Sequence, residues 1–180
     1  MKISTSALPV DALLQKYSRP SARAGEVYYT DCYQASEPGR IALNDYVYAF
    51  YTSWLFRLER WILEHLVHKP STDEEARKLA DGLIADFAAW HVEVRTPTQL
   101  MMCDFLGRTR SWLMVEEVTD TNPPHTLLRF GSAVVPGGDK GAAGAGLAYR
   151  LLLPFHRIYS RLLLRAAISQ LRRQASDGCQ

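Results

Sequence analysis

Residues 90–118 read WHVEVRTPTQLMMCDFLGRTRSWLMVEEV. Apolar and polar residues alternate here over three short runs, 90–95, 99–105 and 109–118, and a period of two is the mark of a half-buried strand. Pro97 and Gly107 separate the runs. The connections are only a few residues long, whereas a parallel crossover needs a dozen or more, so the runs form an antiparallel meander. Asn122-Pro123-Pro124 turns the chain once more, and 126–135 adds a further strand.

Upstream, Val27-Tyr28-Tyr29-Thr30-Asp31-Cys32-Tyr33-Gln34 is rich in aromatic and β-branched residues and closes at Glu37-Pro38-Gly39, which marks a strand over 26–35. Residues 1–25 read as an arm with a short helix from Asp11 to Tyr17. Between Leu43 and His68, Val47, Phe50, Trp54, Leu55, Leu58, Trp61, Ile62 and Leu66 recur at three- and four-residue steps, predicting one amphipathic helix. Trp54 and Trp61 then belong to its buried stripe, with Arg57, Arg60 and Glu64 outward. Ser71-Thr72-Asp73-Glu74-Glu75 supplies an N-cap and first-turn acids for a second helix to about Ala89.

A glycine-rich linker covers Gly137 to Gly146, and Leu147 to about Gln174 predicts the longest helix, the natural core element. Pro154 within it should kink the helix or move its start later. The expected fold is α+β: a curved antiparallel sheet gripping a long C-terminal helix, with two helices after the first strand. One domain, 26–175, is followed by a disordered tail at 176–180.

The chain has 180 residues, 47% hydrophobic and 22% charged, ordinary proportions for a folded protein able to bury a sizeable core. A net charge of +2 gives no field to steer it onto nucleic acid, so no nucleic-acid partner is expected. Cys32, Cys103 and Cys179 lie far apart without a CxxC pair, which reads as reduced thiols and no zinc site. Residues 1–10 lack the apolar run of a signal peptide, and arginines interrupt every apolar stretch before it reaches membrane-spanning length. A cytoplasmic protein without a transmembrane segment is the expectation. Gly137-Gly138-Asp139-Lys140-Gly141 lacks the order of a phosphate loop. His65, His68 and His125 have too few neighbouring ligands for a metal, and no cofactor is expected.

Phe87-Ala88-Ala89-Trp90-His91-Val92-Glu93-Val94, Gly107-Arg108-Thr109-Arg110-Ser111-Trp112-Leu113 and Pro154-Phe155-His156-Arg157-Ile158-Tyr159 look similar to an uncharacterised bacterial family. That family belongs to the START-like superfamily, also called SRPBCC or helix-grip. The order of elements over residues 26–175 resembles it too. Some relatives carry the domain behind a short-chain-dehydrogenase-like module, which this chain lacks. The resemblance implies a cavity between sheet and C-terminal helix for an apolar or amphipathic small molecule, and it implies no reaction.

Strand 109–118 places Arg110, Trp112, Met114 and Glu116 on one face. If that face lines the cavity, Arg110 meets a ligand anion while Trp112 packs on its apolar body; otherwise Arg110 and Glu116 face water beside cross-strand partners. His156 lies beside the apolar side of the last helix near Tyr159 and Phe155, either as a structural histidine or as a base partnered by Asp104 or Glu93. Trp90 joins these as a candidate ligand contact. Arg150, Arg157, Arg161, Arg165 and Arg172 form a stripe that either docks on an anionic membrane surface or acidic partner, or is solvated and internally paired. A ligand-binding domain, a cyclase- or isomerase-type enzyme and an interaction module are the three functions in play.

Overall fold

The computed structural model describes residues 2–18, 29–68, 70–135 and 142–177, except for the side chains of Leu66, Val67 and 142–156. The architecture is α+β, an open seven-stranded antiparallel sheet with helices on one face. In chain order the strands are β1 (Ser4–Thr5), β2 (Tyr29–Pro38), β3 (Asp86–Phe87), β4 (Trp90–Arg95), β5 (Gln99–Asp104), β6 (Thr109–Val118) and β7 (His125–Val134). They lie side by side as β1-β2-β7-β6-β5-β4-β3. The helices are α1 (Leu43–Tyr51), α2 (Trp54–Val67), α3 (Asp73–Ala80) and α4 (Ala142–Asp177). α4 packs on α1 and α2 and against β2 and β7.

The meander follows the expected strands closely. The two strands that alternation did not reveal, β1 and β3, are two residues long and sit at the sheet edges. Two residues are too few to show a period.

The expected single helix from Leu43 to His68 is two helices. Thr52 and Ser53 interrupt it, and Ser53 caps the second by accepting from the Phe56 amide. The break resets the helical phase, so the inward stripe of α2 runs through Leu55, Phe56, Glu59 and Leu63. Trp54 and Trp61, expected in the core, are 56% and 57% exposed. Arg60, expected outward, is buried and donates to Ser71 and Asp73.

Thr72 and Glu75 close a capping box at the start of α3. That helix ends at Ala80 rather than Ala89, because Gly82 takes φ +75° and the Gly82 and Leu83 amides donate back to Leu79 and Lys78. α4 starts before Pro154 rather than after it and runs through to Asp177, so the expected tail at 176–180 begins with two helical residues. Of the linker expected over Gly137 to Gly146, residues 142–146 belong to α4, while 136–141 and 178–180 lie outside the described residues.

Each face of the sheet has its own core. Toward the helices, Leu113, Val115, Leu128 and Phe130 pack with Phe50, Tyr51 and Phe56. Phe50 sits 5.0 Å from Phe130 between ring centroids, and Tyr51 meets Phe56 edge-on at 4.7 Å. Such aromatic pairs contribute about 0.5–1.5 kcal/mol each beyond the area they bury. Toward the N-terminal segment, Trp112, Met101, Met114 and Cys32 pack with Ala12 and Leu14. The arm is therefore built into the structure: its 3₁₀ helix, Leu13–Tyr17, lies on the sheet face turned away from α4.

Candidate functional site

A cavity of about 270 Å³ lies between β6, β7, α2 and α4. Phe50, Phe56, Leu63, Phe130 and Leu163 form its apolar walls, and Ser111, Ser132 and Ser160 contribute small hydroxyls. It opens near the turn after β5, where Asp104 and Phe105 stand. Period-two alternation brings Ser111 and Ser132 here, because odd positions of β6 and even positions of β7 face the helices.

Glu59 lines this space from α2, half-buried. Its Oε2 accepts from the Tyr159 hydroxyl at 2.5 Å. Burial raises its carboxyl above the usual 4.5, and hydrogen bonding from Tyr159 and the Trp90 indole offsets that rise only in part. The Tyr159 phenol is also pushed up, by burial first and then by the neighbouring carboxylate. The Tyr51 hydroxyl is buried close to Ser111 and Glu59, with no partner in hydrogen-bonding geometry.

Of the residues singled out from sequence, Trp90, Asp104 and Tyr159 line the cavity together. Asp104 has a structural task as well, its Oδ1 accepting from the Arg108 and Thr109 amides at 2.7 and 3.0 Å to shape the turn. Arg110 borders the cavity, but its guanidinium points to the other face, onto Glu93 at 3.0 Å and over the Tyr17 ring. Trp112 and Met114 lie on that other face too, and Trp112 is wholly buried with its Nε1–H donating to Gln99 at 2.9 Å. Glu116 pairs with Arg129. The even-numbered face of β6 thus packs against the N-terminal segment and not toward α4. The side chains of Phe155 and His156 lie outside the described ones.

Glu93, proposed from sequence as a partner for His156, is on the face away from α4. β4 bulges between Val92 and Val94, which directs Glu93 to Lys16, the Tyr17 hydroxyl and Arg110. Burial pushes this carboxyl up, yet the three donors outweigh it and hold it below the usual range.

The residues missed from sequence are Glu59, Tyr51 and the three serines. A signal for Glu59 existed: it stands three and four residues from Phe56, Leu55 and Leu63, inside an apolar stripe. It became visible only once the phase break at Ser53 was known.

The arginine stripe is largely tied to β2. Arg172 grips the buried Glu37 through two bonds of 2.8 and 2.7 Å, Arg161 lies over Tyr33, and Arg157 bonds the Tyr29 hydroxyl at 3.3 Å. Arg157 and Arg161 also edge a wider, polar groove of about 600 Å³ beside β2. The side chain of Arg150 lies outside the described ones. Among the described residues no helix is long and apolar enough to cross a membrane, and no group of three His, Cys, Asp or Glu could hold a metal. Cys32 and Cys103 are buried thiols, the former pushed up to about 11 by burial.

No family model matches the chain, and no curated protein or solved structure is significantly similar to it.

Proposed function

We propose that the protein binds an apolar or amphipathic small molecule in the cavity between the sheet, α2 and α4. The observation that carries this reading is the cavity itself, with aromatic and aliphatic walls around one half-buried carboxylate–phenol pair. Ligand sites combine mostly apolar walls with a few placed polar groups in this way. The size favours a compact ligand, because about 270 Å³ lies between the ~150 Å³ that takes a benzene ring and the ~300–1,000 Å³ of drug-sized sites.

Native mass spectrometry of the purified protein, followed by titration with small aromatic and aliphatic compounds, tests the reading. Trp90 provides the fluorescent reporter. At least one compound should perturb Trp90, and Ser160→Leu, which adds bulk to the cavity wall, should abolish the response in a protein that still melts cooperatively. A response unchanged by Ser160→Leu would place the binding elsewhere.

A further inference from the structure

A carboxylate withdrawn from water is destabilised unless it is paired, and it offers roughly four acceptor positions. Glu59 accepts from the neutral Tyr159 hydroxyl with the neutral Trp90 indole nearby, and no cation pairs with it among the described residues. Among the described residues lining the cavity the basic side chain is Arg110, and it is engaged by Glu93 on the other face of the sheet. The cavity is therefore negative at its polar end, with a second carboxylate, Asp104, at the mouth. Its walls present the rings of Phe50, Phe56 and Phe130, whose faces attract cations by up to about 2 kcal/mol when desolvated.

We propose that the cavity's ligand is a small organic cation, an aryl- or alkyl-ammonium whose positive group meets Glu59 and whose apolar body lies against the phenylalanine walls. This rests on the cavity reading above and specifies its chemistry. An ammonium supplies up to three N–H donors, enough to fill the open acceptor positions of Glu59. Among the described residues an anionic ligand finds no unpaired cation there, and a purely apolar one leaves the carboxylate uncompensated. The volume suits one ring with a two- or three-atom chain.

Calorimetry of the whole chain at neutral pH against 2-phenylethylammonium, its neutral isostere propylbenzene and anionic phenylacetate tests the assignment. The ammonium should bind at least tenfold more tightly than propylbenzene, and phenylacetate more weakly than either. Glu59→Gln should bring ammonium and propylbenzene to parity, and the ratio measured on the unsubstituted chain stands by itself should that variant fail to fold. Equal binding of ammonium and propylbenzene would overturn the cation assignment while leaving the cavity reading intact. No binding by any of the three would overturn both.

Discussion

Glu59, on α2 over one face of the sheet, and Glu93, on β4 and turned to the other face, are both glutamates, and their surroundings push them in opposite directions. Glu93 receives Lys16, Tyr17 and Arg110, and its carboxyl is held low. Glu59 receives one neutral hydroxyl, that of Tyr159, beside an open cavity, and its carboxyl is raised. The first arrangement fastens the N-terminal segment to the sheet. The second keeps a polar group poorly compensated in an apolar space, a state that favours function over stability.

The faces around them differ likewise. The arm-side face is filled by Trp112, Met101 and Leu14, whereas the helix-side face keeps a gap among Phe50, Phe56 and Phe130. If the filled face is purely structural, truncating it should harm stability and spare binding. Trp112→Ala should cost about 3–5 kcal/mol in denaturant unfolding, while the folded fraction binds the same compounds. Loss of binding at native-like stability would erase the distinction.

Gly131 sharpens the same point. A Cβ there would come within 2.7 Å of the Asp31 carbonyl oxygen and 2.9 Å of Leu14 and Trp112. Backbone cannot yield as a side-chain tip does, so Gly131→Ala should destabilise by about 1–3 kcal/mol, read from the shift in melting temperature. An unchanged melting temperature would show that the 3₁₀ helix does not press on the sheet there.

The two glutamates predict opposite pH behaviour. Glu59 titrates higher in the folded chain than unfolded, so its contribution is complete below about 4.5 and is lost as pH rises through the folded value. Glu93 titrates lower when folded, so its contribution is complete above about 4.5 and is lost as pH falls through the folded value. Relative to the unsubstituted protein, Glu59→Gln should therefore gain stability as pH rises above about 4.5, and Glu93→Gln should lose it as pH rises toward about 4.5. Urea titrations at several pH values would measure both slopes, and slopes of equal sign would refute the contrast.

The smallest effect is expected on the outer surface of α4. Replacing Arg157, Arg161 and Arg165 together by Gln should change stability by no more than about 1 kcal/mol for each, since exposed cations contribute little. Calorimetric melting that falls well beyond that sum would show the stripe to be a structural clamp on β2.

The sheet was legible because the meander β4 to β7 is long enough to show a period of two and β2 is rich in aromatic and β-branched residues, although β2 runs on to Pro38 rather than ending at 35. The end of α3 was not, since a single Gly82 outweighed the helical pattern that continues beyond it. The site was half legible. Trp90, Asp104 and Tyr159 emerged from local pattern and resemblance, but the face of β6 that meets the helices could not be read from alternation, which is blind to which side is which. Glu59 was hidden by the two-residue break at Thr52-Ser53, which turned the tryptophan stripe outward and the Leu55/Phe56/Glu59/Leu63 stripe in.

On the proposed reading, binding belongs to the helix-side face alone. Amide chemical-shift mapping with 2-phenylethylammonium and propylbenzene tests it most directly. The largest shifts should fall on Phe50, Phe56, Glu59, Phe130, Ser160 and Leu163, with Leu14, Met101 and Trp112 unmoved. Shifts centred on the arm-side residues, or none with either compound, would contradict it.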